Sequence, residues 1–195
     1  MPPAPVLPLS GDAEADALLA RDPLALLLGM LLDQQIPMER AFSAPLALSR
    51  RLGRDLDADY LARMDPEELA AVFASKPALH RFPAAMARRV QALCEHLVAR
   101  YGGDAGAVWR DAPDGSTLLE RVRALPGFGD EKARILVALL GKRLGVRPPG
   151  WEAAAGRFGE PGAYASVADI DGPEALERVR EHKRALKAAA KSLRR

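Results

Sequence analysis

The chain has 195 residues, enough for one domain or two interlocked subdomains around a real core, and nearly half of them are apolar. A net charge of +2 sets up no global field toward a polyanion, so any basic surface has to be local; the lone Cys94 excludes a disulfide framework and an all-cysteine zinc or iron–sulfur site. The apolar set is mostly Leu and Ala, strong helix formers, and strand signals are nearly absent, so an all-α fold is expected.

Residues 1–10 form a Pro-rich lead, expected to be mobile or to lie along the surface. Asp22-Pro23 then opens a helix in the usual way, Asp as N-cap and Pro at the first position, and Leu24 to Leu32 is apolar nearly all round, which makes this helix central. It ends in Asp33-Gln34-Gln35. Two readings of these polar residues are open: they hydrogen-bond their own loop, or their amides project into a groove and meet a base or the gap it leaves. Pro37 to Leu52 is the expected partner helix, and Asp65-Pro66-Glu67-Glu68 starts another, with Glu68 placed to complete a capping box.

Between Pro77 and Pro83 the chain cannot be regular helix throughout, yet it carries Leu79, His80, Arg81 and Phe82. Its apolar side chains either pack on the core or act as a wedge for a distorted duplex, with Arg81 on a phosphate. A long helix over about Ala84 to Arg100 follows, its basic side including Arg88 and Arg89, and Tyr101-Gly102-Gly103 closes it. After a short helix around Ala105 to Arg110, two amphipathic helical patterns meet at Leu125-Pro126-Gly127-Phe128-Gly129. Pro126 cannot extend the first helix, and the two glycines leave bare amides at the start of the second, where the helix dipole favours an anion such as a nucleic-acid phosphate. Lys132 adds a charged group one turn in. An ordinary helix connection is the competing reading. Asp171-Gly172-Pro173-Glu174 starts the last helix, where Arg180, Lys183, Arg184, Lys187, Lys191 and Arg194 form a basic stripe that either tracks phosphate or is a solvated face. His80, His96 and His182 lie at no ligand spacing and no Gly-rich nucleotide loop is present, so neither metal nor other cofactor is expected; the absence of a signal-peptide pattern and of an apolar run long enough for a bilayer gives a cytoplasmic location as the expectation.

An apolar helix ending L-L-D-Q-Q, a D-P-E-E-L helix, a loop, a long helix with paired Arg, and L-P-G-F-G before a buried helix resemble the helix-hairpin-helix DNA glycosylase superfamily, which includes endonuclease III and 3-methyladenine DNA glycosylase II. The resemblance covers residues 22 to 160. It implies two helical subdomains, 22–134 and 135–195, with residues 1–21 joining the second, and double-stranded DNA, damaged or distorted, crossing the cleft between them to a monomer. It also implies that Gly127, Phe128, Gly129 and Lys132 grip the backbone, and that Gln34 or Gln35 fills a vacated base stack. Leu79, Arg81 and Phe82 then complete the DNA face.

The resemblance further implies a catalytic Asp about one helix after the hairpin. Here Gly150 stands at that place, and Glu152 is the only acid between Arg134 and Phe158. Cleaving an N-glycosidic bond builds an oxocarbenium-like sugar that a carboxylate stabilises, so Glu152 is either the replacement or a solvated helix residue; Trp151 either stacks on an extruded base or packs in the core. Lyase-type members carry a Lys two residues after the second hairpin Gly, where this chain has Glu131; Lys132 is rotated by about 100° from it. The expected activity is a monofunctional DNA N-glycosylase acting on a damaged base, an alkylated purine being a candidate because its weakened bond needs less help. The alternative is an inactive member that binds distorted DNA.

Overall fold

The computed structural model describes residues 5–194, and among these the chain is helical without a strand. The helices are α1 (Ala13–Arg21), α2 (Pro23–Leu32), α3 (Met38–Leu52), α4 (Ala58–Arg63), α5 (Pro66–Ala74), α6 (Pro83–Tyr101), α7 (Ala107–Arg110), α8 (Gly115–Arg123), α9 (Asp130–Arg143), α10 (Trp151–Ala155) and α11 (Pro173–Ser192). Short 3-10 turns follow at Gly156–Gly159 and Val167–Asp169.

The punctuation is chemical. Asp12, Asp22, Asp57, Asp65 and Asp114 are N-caps of α1, α2, α4, α5 and α8, each accepting first-turn amide protons that would otherwise lack a partner. At α5 both bonds come from the amides of Glu67 and Glu68 to Asp65, and Glu68 makes no return bond, so the expected capping box is a one-way cap. Gly53 and Gly102 end α3 and α6 in the left-handed region that suits glycine.

α2 is buried at every residue from Leu24 to Leu32. Burying one Leu contributes on the order of 1.5–3 kcal/mol relative to exposure, so this helix is the axis of the core. α3 crosses it closely at Gly29, where a Cβ would stand 2.7 Å from the Phe42 ring. α1 packs on α2 and α3, and α4 and α5 pack on α6. α8, α9, α10 and the two 3-10 turns form the other main group of contacts, with α9 at its centre. Position 134, where the sequence suggests a division, lies in α9, and that helix continues unbroken to Arg143.

The Pro-rich lead departs from expectation over its described part. Leu7 and Leu9, on either side of Pro8, are fully buried, and the amides of Leu9 and Ser10 donate to the buried Asp16 carboxylate, because two leucines in this lead have no cheaper place than the core. Cys94 is also buried in α6, and burial pushes its thiol up to about 12.

Candidate nucleic-acid interface

The hairpin has the expected helix–turn–helix form, with α8 and α9 joined through residues 124–129. Leu125 and Phe128 are buried, and the Phe128 amide donates to the Leu125 carbonyl at 3.1 Å. Phe128 is therefore a core side chain with its amide already used, and it offers DNA neither. Gly127 is exposed at φ +86, and a Cβ there would run into Leu31 Cδ1, so the turn is docked against the end of α2. Gly129 is different: at φ −72 any residue is allowed, and a Cβ would meet nothing within 4 Å. It caps α9 without a side-chain bond, so the first-turn amides of α9 open outward.

Two acids follow at this anion-favouring terminus. Asp130 pairs with Arg123 and with Arg134 (2.9 Å), which hold its carboxyl below the usual range, and Glu131 pairs with Arg157 at 3.0 Å. The bases at the tip are thus partly engaged before any phosphate arrives.

The end of α2 separates its two glutamines. Gln34 is held inside the loop: its Nε2 donates to the Leu31 carbonyl (2.7 Å) and its Oε1 accepts from Arg89 (2.6 Å). Gln35 is exposed at φ +58, a conformation costly for a side chain with a Cβ, and among the described residues its side chain makes no hydrogen bond. Of the pair, only Gln35 is presented outward. His80 joins this loop to the 76–83 loop. Its Nδ1 accepts from the Phe82 amide (3.0 Å), so Nε2 carries the proton and donates to the Gln34 carbonyl (2.9 Å); burial lowers its pKa, consistent with a neutral ring. Leu79 is 4% exposed and packs in the core, which removes it as a wedge, whereas Phe82 is 42% exposed with the Arg81 guanidinium over its ring. Three segments distant in sequence therefore converge on residues 31–35.

Beside them lies a groove of about 410 Å³ lined by Asp33, Glu131, Lys132, Arg157, Ser166 and Lys183, with Met30, Ile135 and Phe158 among its apolar walls. Lys132 enters it. The amine donates to the Leu31 carbonyl at 3.3 Å; burial lowers its pKa, which the Asp33 charge opposes. Asp33 is half-buried, and burial raises its pKa against the lowering effects of Lys183 and Lys132. No hydrogen bond to its carboxylate is found among the described residues, so its charge is free to act on something placed in the groove. Arg157, Phe158 and Ser166 were not singled out by the sequence, because only the turn after α10 and the return toward α11 bring them here.

Glu152 and Trp151 lie elsewhere. α10 runs antiparallel to α9, with the Trp151 ring where a Cβ of Gly141 would be and the Ala154 carbonyl accepting from Arg134. Trp151 is 9% exposed, packed near the end of α9 remote from the hairpin. Glu152 is exposed at a second hollow of about 390 Å³, lined also by Lys142, Arg143, Arg147, Tyr164 and Asp169, where Lys142 and Asp169 form a largely buried pair at 2.5 Å. Lys132 and Lys142 are about 15 Å apart along the helix axis. Gly150 sits at φ +77, and its carbonyl would lie 2.5 Å from a Cβ on Gly115, so this loop is built around glycine.

The hairpin's glycine turn thus docks against the end of the buried α2, beside the outward Gln35. The family model for HhH-GPD superfamily base excision DNA repair proteins matches residues 28–194, spanning all the converging segments. The chain belongs to this family. A search of curated proteins and one of solved structures returned no significant match. As an HhH-GPD member the chain is a base excision DNA repair protein that binds DNA, and no described helix is long and apolar enough to cross a membrane.

Proposed function

We propose that this HhH-GPD protein is a monofunctional DNA N-glycosylase that acts as a monomer on damaged double-stranded DNA, takes the damaged base into the groove between α2, the start of α9 and α11, and uses Asp33 as its carboxylate. The observation that carries this reading is Asp33 itself, half-buried two residues before the outward Gln35 and facing a groove whose volume falls within the roughly 300–1,000 Å³ of small-molecule sites. A carboxylate in a partly desolvated groove stabilises a sugar oxocarbenium more strongly than one in water. Glu152 remains the competing carboxylate, and its place at the remote hollow argues against it. Gln35 and Phe82 would hold the distorted duplex, while Gly129 and the α9 amides take a phosphate.

The ammonium groups of Lys132 and Lys183 oppose a base that already carries positive charge. A neutral damaged base therefore suits the groove better than an alkylated purinium. Lys132 has its amine on the Leu31 carbonyl, so lyase chemistry is not expected, and borohydride trapping on abasic DNA should give no specific adduct. An adduct lost on Lys132→Ala would overturn the monofunctional reading.

The second reading, a non-enzymatic binder of distorted duplex, is favoured by Gly150, whose loop offers no carboxylate at φ +77. One experiment separates the two. Duplexes each carrying one lesion are incubated with the protein and scored for retention and for abasic sites. Abasic sites on any member support the glycosylase; retention without them on the whole panel supports the binder.

A further inference from the structure

The last helix is not uniform along its length. Its first half is tied down: Ala175 and Val179 are buried, Arg178 pairs with Glu174, and Arg180 pairs with Glu177 and with Glu39 at the start of α3. From Lys183 to Arg194 every residue is exposed, and among the described residues none of Lys183, Arg184, Lys187, Lys191 and Arg194 takes part in an ion pair. That segment holds five of the 28 Lys and Arg residues and none of the 26 Asp and Glu, which leaves the rest of the chain at −3 while the whole carries +2. The positive field of the molecule is concentrated here.

The direction of this charge follows from helix geometry. Lys183 lines the groove with Asp33, and Leu186, 49% exposed, stands at the same wall. Positions 187 and 191 fall four and eight residues after 183, so they lie toward the same side of the helix as the groove-lining lysine, and Arg194 follows two residues past the end of α11 at Ser192. From Lys183 to Lys191 the helix advances about 12 Å, the rise of about three phosphates on one strand.

We propose that the second half of α11, together with the turn that follows it, is an arm that lies along the phosphate backbone of duplex DNA flanking the base held in the groove, with Lys187, Lys191 and Arg194 each neutralising a phosphate. The inference rests on the groove being the site where DNA is engaged, and the occupant it commits to is the duplex, through charge complementarity and continuity with the groove wall. The arm supplies grip without sequence information, as phosphate contacts do. It also compensates a body that is on balance acidic.

The test is the salt dependence of binding to a lesion-bearing duplex, measured for the parent chain and for the triple variant Lys187→Ala, Lys191→Ala, Arg194→Ala. Alanine preserves helix propensity and none of the three side chains is buried, so the variant keeps the fold, which far-UV circular dichroism checks. The slope of log Kobs against log salt should become shallower by about 2.7 and affinity near physiological salt should fall about tenfold or more. Parent binding with the same slope in the variant overturns the arm alone. A parent chain that shows no salt-dependent duplex binding overturns the arm together with the glycosylase reading. If the variant keeps its affinity but the parent self-associates through Leu186 and Leu193, the helix is a protein contact and the arm is wrong.

Discussion

The two ends of α9 each border a hollow lined by acids and bases, and they make different chemistry available. At the Arg143 end, the aromatic ring of Trp151 is committed to Gly141 and the buried acid Asp169 is committed to Lys142, so the one uncommitted acid that the sequence favoured, Glu152, points into water. At the Asp130 end, Asp33 is half-buried and among the described residues accepts no hydrogen bond, Lys132 is turned inward, and the hairpin and the outward Gln35 stand beside them. An acid becomes useful through its surroundings: burial without a partner keeps its charge available, whereas exposure lets solvent screen it.

The sharpest way to break this comparison is to remove each acid's charge in turn. Asp33→Asn is expected to lower base release by about 100-fold or more, the scale seen when one electrostatic stabiliser of a transition state is lost, while Glu152→Gln leaves it unchanged. The reverse result would move the site to the remote hollow. Because burial raises the Asp33 pKa, the acid limb of the rate profile should lie above the ordinary Asp value of 3.8, the rate rising with pH as the carboxylate ionises.

The hairpin end itself divides at its two glycines. Gly127→Ala meets both a positive φ and the Leu31 side chain, so thermal or denaturant unfolding should show a loss of about 1–3 kcal/mol. Gly129→Ala meets neither, and its effect on stability should stay within about 0.5 kcal/mol. It is the variant to use for asking whether the amides bind phosphate, by a drop in duplex affinity without a change in fold. Equal destabilisation by the two would show that the turn is not docked on α2. The smallest effect belongs to Asp130, a negative charge beside the phosphate site: Asp130→Asn should raise duplex affinity about two- to fivefold at low salt, as removal of a like charge near a bound phosphate does. An unchanged or weakened affinity in gel-shift titration would mean that Arg123 and Arg134 already cancel the charge.

Much of the fold was legible in the residues because its boundaries are marked by local chemistry. Asp-Pro pairs open α2 and α5, Gly-Gly closes α6, and the unbroken apolar run of α2 identified the buried axis. α1 and α4 were not seen: α1 alternates Ala with acids in nine residues, and α4 has only six, too few for a periodicity to emerge. The site was less legible because its parts differ by properties that a linear sequence does not carry. Gln34 and Gln35 are the same residue type, separated by the sign of one φ. Phe128 and Phe82 each sit in a short turn or loop, and only tertiary packing buries the first. For Lys132, the rotation of about 100° from the family's Lys position does not say which groups it meets; both Glu131 and Lys132 border the groove, and it is Lys132 that turns to the end of α2.

Cys94 has a consequence for durability. Oxidants attack a thiolate, and burial pushes the Cys94 thiol up to about 12, so that form is scarce at neutral pH and sits behind core side chains. The chain's only sulfhydryl is thus chemically silent. Peroxide stress that damages nucleobases would leave this repair protein without a cysteine lesion, and with no second thiol in the chain no internal disulfide can trap it in a misfolded form.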